Sequence, residues 1–258
     1  MDKRIGVQMF TVREHTKTVA DFAETCKKIA QMGYTTVQVS GTPLEAKDMR
    51  PILDEYGLKV VTTHKGFADF QENLSGVIEY NRILGSELCG MGCIPEWARA
   101  DRAAVDRYIA EVNRVAAILK SEGMRFGHHN HSYEYMMHEG GCSFDRMVAE
   151  TDPDAVSFIL DTYWVQFSGR SPEKEIRALG KRAEVVHLKD YRIEGDDWKT
   201  PKMGEVGLGQ LDWDGILAAC EDAGTKWAVV EQDTNHMGGD PFASLAASRE
   251  FLNGKGYL

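Results

Sequence analysis

The sequence predicts a single-domain α/β fold of the (β/α)8 TIM barrel class, spanning residues 1–258, and three observations predict it. A helix-then-strand unit recurs along the chain, eight short apolar runs can be counted, and the polar residues gather where those runs end. The length suits one such barrel with a large core, and 43% of the residues are hydrophobic.

The repeated unit is a helix-period apolar stretch, a glycine just past its end, and a short apolar run. Four copies are plain: FAETCKKIAQMG before YTTVQVS, MRPILDEYG before LKVVTTH, VNRVAAILKSEG before MRFGHHN, and DGILAACEDAG before TKWAVVEQ. Gly33, Gly57, Gly123 and Gly224 stand where a helix can end in a left-handed residue, which costs glycine nothing. The strands are read at 5–10, 35–40, 59–64, 87–92, 124–130, 156–160, 184–189 and 227–232. They lack strict alternation, as expected of parallel strands covered on both faces and joined by helical crossovers. A doubly wound open sheet would bring a glycine-rich phosphate loop after the first strand, but Phe10 is followed by TVREHTK.

A net charge of −10 with scattered Lys and Arg leaves no basic stripe for a phosphate backbone, so no nucleic-acid partner is expected. No stretch approaches the roughly 20 apolar residues that span a bilayer, and MDKRIGVQMF does not read as a signal peptide, so a cytoplasmic location without membrane contact is expected. Cys26, Cys89, Cys93, Cys142 and Cys220 lack zinc-ribbon spacing and read as reduced, mostly buried thiols. Composition leaves the oligomeric state open, a homo-oligomer included.

In a barrel, chemistry collects at the C-terminal ends of the strands. Here those ends carry Gln8, Gln38, His64 with Lys65, then His128, His129, Asn130 and His131 with Glu134 just beyond, followed by Asp161, His187 with Lys189 and Asp190, and finally Glu231 with Asp233. Any one of these has an ordinary structural explanation; Asp161, for example, could cap the helix after the sixth strand. Charged groups at apolar strand ends are nevertheless costly unless paired or bound to a cation. Asp161, His187 and Glu231 come from successive strands and converge, which favours a metal site. Oxygen-rich ligands with one imidazole and no thiolate suit one divalent ion, Mn, Mg, Co or Zn, with manganese favoured.

The ordered set GHHNHSYEY (127–135), ILDTYW (159–164), VVHLKDY (185–191), GEVGLGQLDW (204–213) and WAVVEQD (227–233) resembles the sugar phosphate isomerase/epimerase group of the xylose isomerase-like superfamily, which also holds ketose 3-epimerases and inosose dehydratases. The resemblance covers nearly the whole chain. It implies a metal held by a Glu, Asp, His and Glu from strands five to eight, and Asp161, His187 and Glu231 match three of them. For the fourth, Glu134 is expected, with His129 or His131 as substitutes, because the strand itself ends in HHNH. An apurinic endonuclease of the superfamily shares the His187-x-x-Asp190 pattern. It carries a further His where Trp164 stands, so a trinuclear phosphodiesterase site is not expected.

The resemblance further implies a proton transfer next to a carbonyl, shared by Glu134 and Glu231, on a small sugar, keto-sugar or polyol. His131 is the alternative base, and Lys189 would stand by the developing enolate oxygen. Gln8, Gln38, His64, Lys65, His129 and Asp190 are read as substrate-binding groups, and Trp164, Tyr163 and Phe67 as an apolar wall. Without an Arg cluster or a phosphate cradle, an unphosphorylated substrate is expected. Isomerase or epimerase is the first reading. A dehydratase or lyase using the same enediolate, and a catalytically silent sugar-binding barrel, stand beside it.

Overall fold

A computed structural model of the protein describes residues 2–139, 141–196 and 198–257. Its eight central strands are β1 (Ile5–Gln8), β2 (Thr36–Val39), β3 (Lys59–Lys65), β4 (Leu88–Met91), β5 (Arg125–His129), β6 (Val156–Asp161), β7 (Ala183–Leu188) and β8 (Trp227–Val230). Each pairs in parallel with its neighbours, and β1 pairs with β8, so the sheet closes into a barrel. All eight expected strands form, in the expected order. Several end a residue or two earlier than read, because the chain turns into its loop as soon as the pairing stops.

The helices between them are α1 (Val19–Gln31), α2 (Ala46–Glu55), α3 (Phe67–Glu72), α4 (Leu74–Leu84), α5 (Arg102–Ser121), α6 (Ser143–Glu150), α7 (Thr162–Phe167), α8 (Pro172–Leu179), α9 (Trp213–Ala223) and α10 (Pro241–Gly254). Gly33, Gly57, Gly123 and Gly224 all take positive φ, between 66° and 88°, as the helix-ending reading required. The main core lies between helices and barrel, with Phe22, Tyr108, Phe126 and Phe158 buried in it. A second cluster of Val61, Leu88, Ile159, Val185, Trp227 and Val229 forms a separate apolar group on the strands. Gly90 permits the close approach of β4 to β3, since a Cβ there would lie 2.1 Å from the Thr63 carbonyl oxygen.

Apolar side chains fill much of the barrel, so inward-facing polar side chains at the strand ends line the mouth. The loops after β5 and β7 carry small antiparallel hairpins, Met137–His138 with Gly141–Cys142 and Asp190–Arg192 with Lys202–Gly204. Among the described residues, no helix is long and apolar enough to cross a membrane. The five cysteines are unpaired; four are buried, whereas Cys93 is exposed at the mouth just beyond β4.

Candidate metal centre

His129, Asp161, His187 and Glu231, at or just past the C-terminal ends of β5, β6, β7 and β8, bring four buried ligand atoms within 4.8 Å of one another. His129 Nε2 lies 3.5 Å from Asp161 Oδ2, which lies 3.9 Å from His187 Nδ1, itself 2.7 Å from Glu231 Oε2. Each side chain is fixed from outside the cluster. Asp161 Oδ1 caps α7 by accepting from the Trp164 amide at 3.0 Å, and Asn130 Oδ1 accepts from the Asp161 amide. Capping and site-facing roles therefore coexist on one carboxylate, one oxygen each.

The histidine partners decide whether a cation belongs here. His129 Nδ1 is 3.0 Å from the Gly92 carbonyl oxygen, and His187 Nε2 is 2.8 Å from Gln38 Oε1. Both contacts are to acceptors, so those nitrogens carry the protons and the opposite nitrogens present lone pairs. His129 Nε2 and Asp161 Oδ2 face each other as two buried atoms without a hydrogen-bond partner, and His187 Nδ1 meets Glu231 Oε2 at 2.7 Å, a contact that needs a proton or a metal ion between them. An imidazole lone pair against a buried carboxylate oxygen repels unless a proton or a metal ion lies between them, and the donor set of two imidazoles and two carboxylates fits a divalent ion.

Lys189 is the positive group already present. Its buried ammonium lies 2.7 Å from Asp233 Oδ2, 3.3 Å from Glu231 and 3.4 Å from Asp161. Burial opposes its charge, but the three carboxylates outweigh that and raise its pKa. The same competition, burial against Lys189, leaves Asp161 below and Glu231 well below the usual carboxylate range. Asp233 is the exception: burial wins over Lys189 and pushes it up to about 6. Burial likewise keeps His64 and His187 below the usual histidine range and takes His131 down to about 2. His129 is raised, because Asp161 and Glu231 outweigh its burial.

Not every expected residue comes to this centre. Glu134, expected as the strand-five ligand and as half of the base pair, is fully buried away from the cluster. It lies 3.1 Å from His128 Nε2 and accepts from the His131 amide. The histidine nearest Glu134, His128, continues to Tyr108, so the carboxylate completes a packed polar network. The strand-end His129, named among the substitutes, stands at the centre instead. Asp190, expected to bind substrate, has its carboxylate engaged within the chain: it accepts from the Gly207, Gly209 and Tyr191 amides and from Trp213 Nε1, pinning the loop before α9. Its acceptor capacity is taken.

A cavity of about 340 Å³ opens onto the cluster, lined by Phe10, His64, Cys93, His131, Glu231 and Asp233 among others. Lys65 lines it too, with its ammonium over the Tyr80 ring at 3.5 Å. Gln8 is buried beneath, accepting from the Phe10 amide, with its amide nitrogen 3.4 Å from His64 Nδ1. Trp164 stands 5.3 Å from the His131 ring and 5.7 Å from the Lys189 ammonium. Phe10, Ser40 and Cys93 escaped sequence reasoning; they follow β1, β2 and β4 without a charge or ligand pattern to draw notice.

A family model described as xylose isomerase-like TIM barrel matches residues 26–254, and the chain belongs to that family. Among curated relatives, an inosose dehydratase of Geobacillus thermodenitrificans is 29% identical over 163 residues, 57% of this chain, and the match spans about half of that protein's length, 53%. A second inosose dehydratase, from Geobacillus kaustophilus, is 22% identical over 262 residues, covering 88% of this chain and 84% of the relative. Among solved structures, a sugar phosphate isomerase/epimerase from Parabacteroides distasonis superposes with a TM-score of 0.80 at 20% identity, covering 97% of this chain and 93% of the other.

Proposed function

We propose that this chain is a divalent-metal-dependent enzyme that removes the proton next to the carbonyl of a small unphosphorylated keto-sugar or keto-polyol and then expels a β-hydroxyl, a dehydratase or lyase reaction. The carrying observation is the convergence of buried His129, Asp161, His187 and Glu231 within 4.8 Å, with His129 Nε2 and Asp161 Oδ2 left without a partner. A divalent ion held by these four residues would supply Lewis acidity to the substrate carbonyl.

The chain's own groups account for the rest. Glu231, deprotonated and lining the cavity, takes the proton, and the Lys189 ammonium holds fixed positive charge beside the oxygen that becomes an enolate. Asp233 also lines the cavity; it gives Oδ2 to Lys189 and keeps Oδ1 without a partner. Burial pushes it up to about 6 where no cation is bound, and in its protonated form it can hand a proton to the departing oxygen. Base and acid then come from one strand end, which suits elimination on one face of the substrate. Epimerisation needs a proton carrier on each face, and Glu134, expected on the second, is engaged with His128. The inosose dehydratase relatives support the same choice.

The isomerase or epimerase reading keeps one observation in its favour. His131 Nδ1 is buried without a partner in a ring that lines the same cavity, and this neutral imidazole could serve the second face. The test is solvent deuterium uptake across ketoses, inososes and keto-sugars in D₂O, with Mn²⁺ and with EDTA. Metal-dependent loss of one water from the product upholds elimination, and an unchanged mass formula with deuterium at carbon selects isomerisation. A metal-loaded protein that exchanges no proton, and is unaffected in ligand binding by Glu231→Gln, would turn the reading to a silent binding barrel.

A further inference from the structure

Beside the mouth, an open cleft of about 410 Å³ lies between the start of α2 and the outer face of α4, lined by Glu45, Lys65, Asp69, Asn73 and Tyr80 among others. Nothing in the proposed chemistry uses it. Lys65 borders both this cleft and the mouth cavity, and the Gly66 amide donates to Asp69 Oδ2 at 3.1 Å, tying the rim of one to the floor of the other. The mouth cavity alone is at the small end of ligand sites, which run from about 300 to 1,000 Å³, and the two compartments together fall well inside that range.

We propose that this cleft is a second carbohydrate subsite, so that the substrate is a two-unit glycoside: the reacting ring lies over the metal centre and an uncharged second ring lies against Tyr80. The inference rests on the function proposed above and deepens it. The lining identifies the ligand class. Carboxylates outnumber cations, with Glu45, Asp69 and Glu79 against Lys47 and Lys65, so a phosphate or other anion is repelled. Carboxylates and an amide are acceptors for vicinal hydroxyls, and an aromatic ring gives the apolar face of a pyranose its platform. Tyr80 is half-buried, and the Lys65 ammonium that lies over its ring at 3.5 Å would swing aside towards the shared wall when a sugar stacks there. The linkage between the two units would pass Lys65, the wall the compartments share.

The test is saturation-transfer NMR and titration calorimetry on the metal-loaded protein with glucose, glucose 6-phosphate, cellobiose, maltose and trehalose, for wild type, Tyr80→Ala, Glu45→Ala and Asp161→Asn, each checked by circular dichroism. At least one disaccharide is expected to bind about tenfold more tightly than glucose, a gain lost in Tyr80→Ala while glucose binding is kept. Asp161→Asn should retain saturation of the outer ring. Disaccharides no tighter than glucose, tighter binding of glucose 6-phosphate, or a disaccharide gain that survives both Tyr80→Ala and Glu45→Ala would overturn the subsite. Tyr80-dependent disaccharide binding without metal-dependent proton exchange on any substrate would remove the proposed reaction and uphold the subsite.

Discussion

Replacing Lys189 by Met probes the charge balance of the centre directly. The ammonium is buried, with three carboxylate oxygens between 2.7 and 3.4 Å away. At an effective dielectric of about 20, each such pair is worth roughly 4 to 6 kcal/mol in gross attraction, much of it spent on desolvation. Truncating one partner of a buried ion pair therefore costs about 3 to 5 kcal/mol, because the other charges stay behind without compensation. In EDTA the variant should melt about 10 °C below wild type. A divalent cation brings back the missing charge, so Mn²⁺ should raise the melting temperature of Lys189→Met more than that of wild type, and the variant should bind the ion more tightly. Turnover should still fall sharply, since the ammonium would be missing beside the enolate oxygen. Differential scanning calorimetry with and without Mn²⁺ gives both numbers. Equal melting temperatures in EDTA, or an equal response to Mn²⁺, would refute the reasoning.

Four other outcomes are expected. In EDTA, stability should fall as pH drops below about 6.5: His64, His131 and His187 have depressed folded pKa values, so the unfolded chain takes up protons first, at about 1.4 kcal/mol per group and pH unit, with His129 and Asp233, both raised, opposing; flat urea midpoints from about pH 7 to 5 would contradict this. Asp161 and Glu231, both depressed, add their loss only below about pH 4, as the pH falls towards their folded values. Glu134→Gln should cost about 1 to 3 kcal/mol in urea titration while metal stoichiometry by elemental analysis stays at wild type, and loss of the metal would return Glu134 to the ligand set. Asp190→Ala orphans the donors of the 204–213 loop, so hydrogen exchange there should accelerate by at least tenfold with the barrel strands unaffected; uniform protection would deny its anchoring role. With two imidazoles in the set, Mn²⁺, Co²⁺ or Zn²⁺ should displace Mg²⁺ in competition titrations, and a preference for Mg²⁺ would speak against the His129 ligand.

The barrel was legible because its signals are local: an apolar run, a helical period and a left-handed glycine each act within one turn of chain. The strand-end polar residues were legible for the same reason, since inward-facing residues at those positions line the mouth. What escaped was the rotation of neighbouring side chains. In HHNHSYE, His128 and His129 differ by one residue and therefore by the face of the sheet, so one enters the packed network with Tyr108 and Glu134 and the other the metal centre. Glu134 lies five residues past the strand-end His129, where the loop's own path decides its direction. Asp190 is placed by its loop in a similar way. Its position after β7 suited substrate, but the glycines of GEVGLGQ bring their amides close enough to take its carboxylate, and a Cβ on Gly209 would lie 2.3 Å from Asp190 Oδ1.

The exchange of a carboxylate for His129 has a consequence for the whole centre. With a divalent cation and Lys189, Asp161 and Glu231 alone leave one excess positive charge, and an ionised Asp233 brings the buried set to neutrality. Asp233 thus has two states of comparable standing, ionised when the cation and Lys189 dominate and protonated when burial does, and it is the one carboxyl of the three whose pKa is pushed up. A strand-five carboxylate in place of His129 would have supplied that charge itself and left Asp233 with no balancing role. The histidine at the end of β5 therefore draws Asp233 towards its ionised form when a cation is bound, so an elimination that uses the Asp233 proton should lose rate as the pH rises.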